Sequence, residues 1–323
     1  MLTLIALAAA YLLDSLIGDP RCLPHPVRLF GRIIILMEKA LRRIFVSPQG
    51  LKAAGLLIVV IVAGGSAVVT VFLVAQAYRL HMGFGLLLEV YILFAVLAGG
   101  DLRNHVTKVE HNLKAGKLDQ ARASAALLVS RDTLNLDEGG VSRAALESLF
   151  ENSADGLVAP LFFAAVGGPA GAVFYKAVNT LDSMIGYKTE EYSDLGFFAA
   201  KTDDFLNFIP ARLTAFLIIL AGAFCGRWRN GWRVLIEDRR KHQSPNSAWP
   251  EAAAAGVLGI SFGGADHYRG ERLFRPIINS AGREPESGDI KRALALFCRT
   301  SILAFISLLS LHYFLRTWEA LPF

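Results

Sequence analysis

Charged residues are scarce in this sequence. Asp, Glu, Lys and Arg make up 19% of the 323 residues and hydrophobic residues 54%, whereas a soluble domain usually carries about 25% charge. This apolar content excludes a disordered chain, because disordered segments bury too little apolar surface to fold. Cysteine is also rare. The set Cys22, Cys225 and Cys298 is too sparse for a disulfide scaffold or a CxxC zinc site, and it suits free thiols in a reducing compartment.

Several common signatures are absent from the sequence. There is no phosphate loop of the Walker type, no GxGxxG between a strand and a helix, and no GxSxG nucleophile elbow. The Lys and Arg residues form no basic block interleaved with aromatic residues, so nucleic acid is not an expected partner. No Lys or Arg precedes the first apolar stretch, so the charged start of a signal peptide is missing. Any nucleotide would need a less common kind of site.

Long apolar runs dominate the chain instead. Residues 53–78 contain no charged residue, and a bilayer needs about 20 apolar residues. Residues 84–98 form a second run, interrupted only by Glu89, and the pair predicts a transmembrane hairpin. The candidate membrane segments are 2–17, 53–78, 84–98, 157–175, 213–225 and 294–315. We therefore predict an all-α integral membrane protein, a polytopic helical bundle with about four to six membrane segments and helical cytoplasmic loops, in one domain over residues 1–323.

Two of these segments are irregular. The run 157–175 contains Gly167, Gly168, Pro169 and Gly171, which predict a break or kink. The run 213–225 is short for a full span. Each segment either crosses the bilayer or is re-entrant around a cavity, where irregular backbone is tolerated.

The basic residues predict the orientation. The loops 18–52, 99–156 and 226–293 hold 26 of the 33 Lys and Arg residues, and such loops face the cytoplasm. We expect a multi-pass protein of the cell (inner) membrane, in contact with the lipid bilayer and with its active site facing the cytoplasm. The loop 176–210 is expected to face the same cavity as the first loop.

The first polar constellation follows the first apolar run. Asp14 and Asp19 precede the string Pro24-His25-Pro26, and Arg28 follows it. Proline limits the backbone conformations around His25. A histidine fixed in this way beside Asp19 could be a metal ligand, a proton carrier or a phosphate contact. A rigid loop at the helix exit is the alternative interpretation.

The second constellation is a stripe of carboxylates. Glu147, Glu151 and Asp155 are spaced i, i+4 and i+8, so they share one face of a helix. Asn152 is adjacent, and Arg131 lies upstream. Three like charges on one stripe repel unless a cation is present, which favours a metal or substrate role over a solvated face.

Two further constellations lie near the ends of the irregular segments. The third suits Mg²⁺, which takes carboxylate oxygens together with substrate phosphates, although helix capping is an alternative for some members. It comprises Asn179, Asp182, Ser183, Lys188, Asp203, Asp204, Asn207 and Arg212. The fourth is a Pro- and Gly-rich loop with basic residues that could hold anionic groups. It comprises His242, Ser244, Asn246, Glu251 and Arg275.

Taken in order, these motifs resemble the cobalamin-biosynthesis membrane proteins CobD or CbiB, the adenosylcobinamide-phosphate synthases. The resemblance covers about residues 10–280, and the ordered set is specific although each motif alone is weak. The matching strings are Asp14-x3-Gly18-Asp19-Pro20-x3-Pro24-His25-Pro26-Val27, Val129-Ser-Arg-Asp-Thr133, Glu147-Ser-Leu-Phe-Glu-Asn152 with Asp155-Gly156, Asn179-Thr-Leu-Asp-Ser-Met184 with Gly186-Tyr-Lys188, Asp203-Asp204 with Ile209-Pro-Ala-Arg212, Ser244-Pro-Asn-Ser247 with Pro250-Glu251, and Arg275-Pro276.

The resemblance implies a ligase reaction. Such a protein joins adenosylcobyric acid, a corrinoid, to 1-amino-2-propanol or its phosphate through an amide, with ATP and Mg²⁺. A carboxylate does not condense with an amine unaided in water, so activation as an acyl phosphate is the expected route. This chemistry needs phosphates held by Mg²⁺, a base for the amine and stabilisation of an oxyanion. The oligomeric state, a homo-oligomer included, stays open.

Residue types suggest the division of roles. Expected catalytic residues are His25, Asp19, Glu151 and Asp182. Expected metal ligands are Glu147, Asp155, Asp203 and Asp204. Expected substrate-binding residues are Asp14, Arg28, Arg131, Asn152, Asn179, Ser183, Lys188, Arg212, Ser244, Asn246, Glu251 and Arg275.

Three other functions compete with this interpretation. A Mg²⁺-dependent membrane transferase acting on a diphosphate would carry two DxxxD-like sets, and only Glu151-x3-Asp155 approximates one. A transporter would show an inverted repeat, which the sequence lacks. A catalytically silent regulatory relative of the family is the third.

The orientation is testable by cysteine labelling. In a variant with no other cysteine, a cysteine placed at Ser124 should resist a membrane-impermeant thiol reagent in intact cells, because loop 99–156 is expected in the cytoplasm. The same residue should react once the cells are opened. Efficient labelling of intact cells would refute the predicted orientation.

Overall fold

The computed structural model describes residues 2–19, 25–268 and 270–319. These residues form helices and one antiparallel sheet of two strands. The helices are α1 (Leu2–Ile17), α2 (Pro26–Leu41), α3 (Pro48–Val59), α4 (Gly65–Leu80), α5 (Met82–Val96), α6 (Gly99–Lys114), α7 (Leu118–Ala125), α8 (Glu138–Ser153), α9 (Ala159–Ile185), α10 (Phe197–Leu206), α11 (Phe208–Ala223), α12 (Trp228–Asp238), α13 (Ala248–Leu258) and α14 (Ser287–Glu319). The strands are β1 (Phe262–Tyr268) and β2 (Glu271–Ile278). Residues 20–24 of the first predicted motif, with Pro20 and Pro24, lie outside the described residues.

Helices long and apolar enough to cross a bilayer make up much of the chain. Four stretches meet this description within the described residues, and α10 with α11 adds a fifth if the two are counted as one bent span. The four are Pro48–Leu80, Met82–Lys114, Glu138–Ile185 and Ser287–Trp318. They contain the predicted runs 53–78, 84–98, 157–175 and 294–315, while the run 2–17 is the shorter apolar helix α1. The predicted multi-pass, helical class is therefore confirmed.

The long helices are interrupted where the sequence predicts a break, and also at other points. Gly168 has φ 62° and ψ −157°, a conformation that breaks the helix and that glycine adopts without steric cost, and Pro169 follows it within α9. Residues 97–98 separate α5 from α6. Two more interruptions are π-helical turns, Val60–Gly64 between α3 and α4 and Ala154–Val158 between α8 and α9. A π turn carries i→i+5 hydrogen bonds and shifts the helical register of the residues that follow.

The chain divides into two compact units. The first comprises Met1–Ala98, Ala159–Asn207 and Ser307–Phe323, and the second comprises Gly99–Val158 and Phe208–Ile306. The loops 99–156 and 226–293, which the charge pattern assigns to one side of the membrane, thus belong to the same unit. Their Lys and Arg residues are part of one folded body.

Within the first unit, the loop after α9 packs against the chain that follows the first apolar run. Arg42, directly after α2, donates a hydrogen bond from Nη2 to the Glu191 carbonyl at 2.9 Å, and its guanidinium lies 5.1 Å from the centre of the Tyr192 ring. Lys52 of α3 lies 3.4 Å from Asp194. The first loop and part of the loop 176–210 are therefore neighbours, and that they face one cavity stays a prediction.

The acidic residue inside the second apolar run has a partner. Glu89 is buried on α5, and the Tyr78 hydroxyl donates a hydrogen bond of 2.6 Å to its Oε2. Gly85 makes room for this contact, because a Cβ atom there would lie 2.3 Å from the Tyr78 ring. A buried polar group of this kind is tolerated when it is hydrogen-bonded.

The sheet corrects the prediction that the loop 226–293 is helical. β1 and β2 pair antiparallel, with a register irregularity between Phe262 and Gly264. Gly263 has φ 85°, and a Cβ atom there would lie 2.3 Å from the Pro276 carbonyl oxygen, so the bulge requires glycine. Neither strand alternates buried and exposed positions. The period-two pattern that reveals strands in a sequence was therefore missing.

The close packing of α3 makes a testable difference between two glycines. A Cβ atom at Gly55 would lie 2.0 Å from the Leu195 carbonyl oxygen, whereas one at Gly64 would meet no atom within 4 Å. We expect Gly55→Ala to lower the melting temperature of the detergent-purified protein, since overpacking costs about 1–3 kcal/mol. The control Gly64→Ala should leave it unchanged or raise it slightly. Equal melting temperatures for the two variants would contradict this account.

Candidate active site

A cluster of buried and half-buried charges of both signs lies in the second unit. α8 contributes Glu147 and Arg143, the loop before α8 contributes Arg131, and the hairpin contributes Asp266 and Arg275. Charges buried in this way are tolerated only when they are paired and hydrogen-bonded. Their partners therefore fix how the loop, the helix and the hairpin meet.

Glu147 is the most connected member of this set. It is 1% exposed and accepts hydrogen bonds from Arg131 Nη2 and from the Gly263 backbone N–H, the latter at 2.6 Å. Arg275 Nη2 lies 3.2 Å from the same carboxylate. Three donors thus balance a carboxylate that the sequence assigned to a metal site.

Asp266 pairs with the other side of Arg131. Its Oδ2 accepts from Arg131 Nη1 at 2.9 Å, and its Oδ1 accepts from Arg143 Nη2 at 3.2 Å. Arg143 lies one turn before Glu147 on the same helix, yet it pairs with Asp266 of the hairpin, a residue that no sequence motif marks.

Backbone contacts to the hairpin fix the loop that carries Arg131. The Asp132 N–H donates to the His267 carbonyl at 2.8 Å, and the Asp132 carboxylate accepts from the Gly270 N–H at 2.7 Å. Arg131 is 6% exposed. Its orientation therefore depends on the hairpin as well as on its own ion pairs.

The two arginines at the cavity are held in the charged form. Burial alone lowers the pKa of Arg131, but the Glu147 and Asp266 carboxylates outweigh burial and raise the pKa above its usual value. Burial likewise opposes the charge of Arg275, and Glu147 and Glu251 reverse this effect and raise its pKa. Both guanidinium groups are therefore permanent cations at any physiological pH.

A cavity of about 240 Å³ adjoins this network. Residues from the second and fourth constellations line it together. They are Arg131, Ser148, Glu151, Asn152, His242, Tyr268 and Arg275, with Leu128, Val129 and Ser130. The cavity offers cations, a carboxylate, an amide and an imidazole within one small space, which is the usual composition of a polar binding site.

Glu251 lies beside this cavity in the first turn of α13. Its side chain is 0% exposed, and among the described residues neither of its carboxylate oxygens has a hydrogen-bond partner. Arg275 Nη2 is 3.9 Å from Oε1. Burial, reinforced by the charges of Glu151 and Glu147, raises the pKa of the Glu251 carboxyl well above its usual range.

Three further predicted residues meet elsewhere in the second unit. Arg212 donates from Nη1 to Asn246 Oδ1 at 3.1 Å, and Ser244 Oγ accepts from the Asn246 N–H at 3.3 Å. The Arg212 guanidinium lies over the rings of Phe208 and Trp249, at 3.5 and 4.4 Å from their centres. Arg212 is thus a stacked cation in a defined position.

The third constellation comes together in the first unit. Asp203 is buried and accepts from Asn179 Nδ2 at 3.4 Å and from Asn207 Nδ2 at 2.9 Å. Asp182 lies against Gly186, where a Cβ atom would be 2.0 Å from its Oδ1, so this contact requires glycine. Around them, Asp204 is half-buried, whereas Ser183 and Lys188 are exposed. Asn207, which follows Asp203 by one helical turn, belongs to the same cluster, as its i+4 spacing indicates.

The first constellation also belongs to the first unit. His25 caps α2, since its Nδ1 accepts from the Val27 N–H at 3.3 Å, and its Nε2 lies 3.4 Å from Asp19 Oδ2. Asp14 is buried on α1, and Arg28 is exposed. His25 and Arg28 stand at the edge of an apolar groove of about 740 Å³ lined by α2, α4 and α5.

Asp155 was predicted to share one helix face with Glu147 and Glu151, but it does not continue the α-helix that carries them. It lies on the π-helical turn that follows α8. The i+8 spacing assumed continuous α-helix, so the shared face ends at Glu151. His242 is the converse case, because its sequence context suggests no specific role, whereas in the structure it lies on the wall of the cavity.

These features define a polytopic helical membrane protein with two polar clusters suited to binding anions and cations. A sequence profile described as "CobD/Cbib protein" matches residues 7–297, and the chain belongs to this family. No solved structure matches the chain.

Named relatives are similar over nearly their whole length. The cobalamin biosynthesis protein CobD of Klebsiella pneumoniae is 41% identical over 97% of this chain and 99% of its own length. The cobalamin biosynthesis protein CbiB of Salmonella typhimurium is 41% identical over 96% of this chain and 97% of its own. The corresponding CobD of Citrobacter koseri is 43% identical over 94% and 95%.

The buried network predicts a large loss of stability from a small change. Asp266→Asn keeps the side-chain shape but removes the charge that pairs with Arg143 and one of the two carboxylates that pair with Arg131, and breaking a buried pair costs about 3–5 kcal/mol. We expect a clear fall in the melting temperature of the purified protein. Asp119→Asn, which removes the partner of Arg122 in an exposed pair at 2.9 Å, is the matched control and should have little effect. A fall of the same size in both variants would show that the network does not stabilise the fold.

Proposed function

We propose that this protein is an enzyme of cobalamin biosynthesis that joins adenosylcobyric acid to 1-amino-2-propanol, or to its phosphate, in an ATP-dependent reaction. Family membership and the names of the relatives support the pathway. The observation that carries the choice of reaction is the cavity where Arg131, Arg275, Glu151 and Asn152 face one another. Such a site can hold an anionic acid and an incoming amine together.

The proposed reaction has two steps. A carboxylate oxygen of the corrinoid attacks the γ-phosphorus of ATP, and ADP leaves. The amine nitrogen then attacks the carbonyl carbon of the acyl phosphate, phosphate leaves, and the nitrogen loses a proton to a base. Each step brings anionic groups together, so it needs fixed cations and a positioned acceptor for the proton.

The cavity residues can meet these needs. Arg131 and Arg275 are cations held by Glu147, so their guanidinium groups can orient a carboxylate or phosphate without moving. Glu151 is half-buried on the cavity wall and can accept the proton of the amine. Asn152, which donates to the Ser148 carbonyl at 2.9 Å, offers its amide oxygen to the substrate.

The cluster of the first unit suits Mg²⁺ bound to nucleotide phosphates. Asp182, Asp203 and Asp204 supply carboxylate oxygens and Asn179 an amide, which are the ligand types that Mg²⁺ prefers. When bound, the ion would offset the negative charge of the phosphates. Asn179 and Asn207 orient Asp203 through hydrogen bonds. Asp14 and Ser183, with Lys188, are the polar groups near these helix ends that we assign to substrate binding.

The apolar groove of the first unit is our candidate for the corrin ring. A corrin is a large, partly apolar disc, and ligand sites are mostly apolar with a few placed polar groups. The groove measures about 740 Å³ and carries His25, Arg28 and Arg32 among apolar side chains. The pair formed by His25 and Asp19 would contact a polar substituent of the ring.

The reaction can be tested with the purified protein in detergent. Adenosylcobyric acid, aminopropanol phosphate, ATP and Mg²⁺ should yield a corrinoid heavier by the amine minus water, with one ADP formed for each amide. Asp182→Ala should abolish amide formation while the protein remains folded, because it removes a proposed Mg²⁺ ligand. Glu190→Gln, which alters an exposed carboxylate on the following loop, is the control and should keep wild-type turnover.

The outcomes separate the alternatives. Amide formation without ATP would exclude the acyl phosphate route and leave the product assignment intact. Full activity of Asp182→Ala would remove the first-unit cluster from the reaction. No amide with either the free or the phosphorylated amine, together with binding of a diphosphate-bearing lipid, would replace the proposal with the transferase function.

A further inference from the structure

Glu251 is a buried carboxylate without the hydrogen-bond donors that a buried carboxylate needs among the described residues. Its side chain is 0% exposed, and no residue that the structure describes donates a hydrogen bond to either oxygen. Buried polar side chains are almost always hydrogen-bonded, and an ionised one without partners is strongly destabilising. The position therefore calls for a proton or for a ligand that the protein chain does not supply.

Two other ligating groups face the same point. One ring nitrogen of His242 and one carboxylate oxygen each from Glu151 and Glu251 lie within 4.8 Å of one another. Oxygens on opposite sides of a Mg²⁺ ion lie about 4.2 Å apart, since each bond is about 2.1 Å. Small side-chain movements would thus bring both carboxylates onto one ion.

The neighbouring arginines do not neutralise the negative charges of Glu151 and Glu251. Arg131 is bound to Glu147 and Asp266, and Arg275 Nη2 lies nearer to Glu147, at 3.2 Å, than to Glu251, at 3.9 Å. The ionised pair of Glu151 and Glu251 therefore carries a surplus of negative charge beside the cavity. A divalent cation is the ligand that would offset it.

We propose that Glu151 and Glu251 form a binding site for a divalent cation of the Mg²⁺ type, which His242 contacts through a bound water or anion. The histidine does not ligate the ion directly. Its Nδ1 accepts from the Ser244 N–H at 3.0 Å, so the neutral ring carries its proton on Nε2 and acts as a donor. Mg²⁺ takes one or two carboxylates and keeps several waters, which fits this arrangement.

The scaffold around the site is rigid. Glu151 belongs to α8, and Glu251 belongs to the first turn of α13, whose buried alanines 252–255 let neighbouring helices approach closely. A Cβ atom at Gly256 would lie 2.7 Å from the Asn230 carbonyl oxygen, so α13 packs against α12 too closely to admit a larger residue there. The carboxylates are therefore held on helices rather than on a mobile surface. The proposal rests on these residues and does not require the proposed reaction.

Binding of Mn²⁺, used as a probe for Mg²⁺, tests the site without any activity assay. Mn²⁺ bound to the full-length protein in detergent should be counted by electron paramagnetic resonance and displaced by Mg²⁺. We expect Glu251→Gln and Glu151→Gln each to bind one ion fewer than wild type. His242→Gln should keep the ion with about ten-fold weaker affinity. Glu190→Gln, with an exposed carboxylate changed in the same way, should bind as wild type does.

Two further readouts make the result decisive. Pulsed resonance should show no directly coordinated ¹⁴N on the bound Mn²⁺, and a strong ¹⁴N coupling would overturn the role of His242. The melting temperature of wild type should rise with Mg²⁺, and Glu251→Gln should lose this rise. An unchanged ion count in both glutamate variants would overturn the site and indicate a proton shared by the two carboxylates. Loss of catalytic activity in these variants would not by itself overturn the cation site, since the proposed function is tested by a separate experiment.

Discussion

The burial of Glu147 constrains the second unit more than any other single feature. A carboxylate in the interior is stable only if donors surround it. Glu147 obtains them from the loop, through Arg131, and from the hairpin, through Gly263 and Arg275. Loop, helix and hairpin must therefore assemble around one side chain, and the polar cavity lies beside the point where they meet.

Much of the fold could be predicted because a membrane helix is recognisable from its local sequence alone. An uncharged run such as 53–78 needs no distant partner to be recognised, and a Gly-Gly-Pro string inside an apolar run marks a break. The hairpin could not be predicted in this way. Its strands lack alternation, and its main contacts are made with Arg131 and Glu147, far away in the chain.

The same distinction applies to the candidate site. Spacing on one helix correctly grouped Glu147 and Glu151, but it could not show that arginines bind one and leave the other at the cavity. No motif surrounds Asp266 in the sequence. Its structural role is to pair with two arginines that belong to other elements, and sequence spacing does not reveal such pairs. Asp155 was misplaced because a π turn changes the register. Long-range pairing and local irregularity are the two kinds of information that residue spacing does not contain.

The hydrogen bond from the bulge at Gly263 also has a consequence for the synthesis of the protein chain on the ribosome. Its N–H reaches Glu147 across 116 residues of sequence. A ribosome adds about 5–20 residues per second, so this stretch takes about 6–23 s to make. Throughout that interval Glu147 has neither the hairpin amide nor Arg275. Until the hairpin emerges, only Arg131 and water can supply donors to this carboxylate.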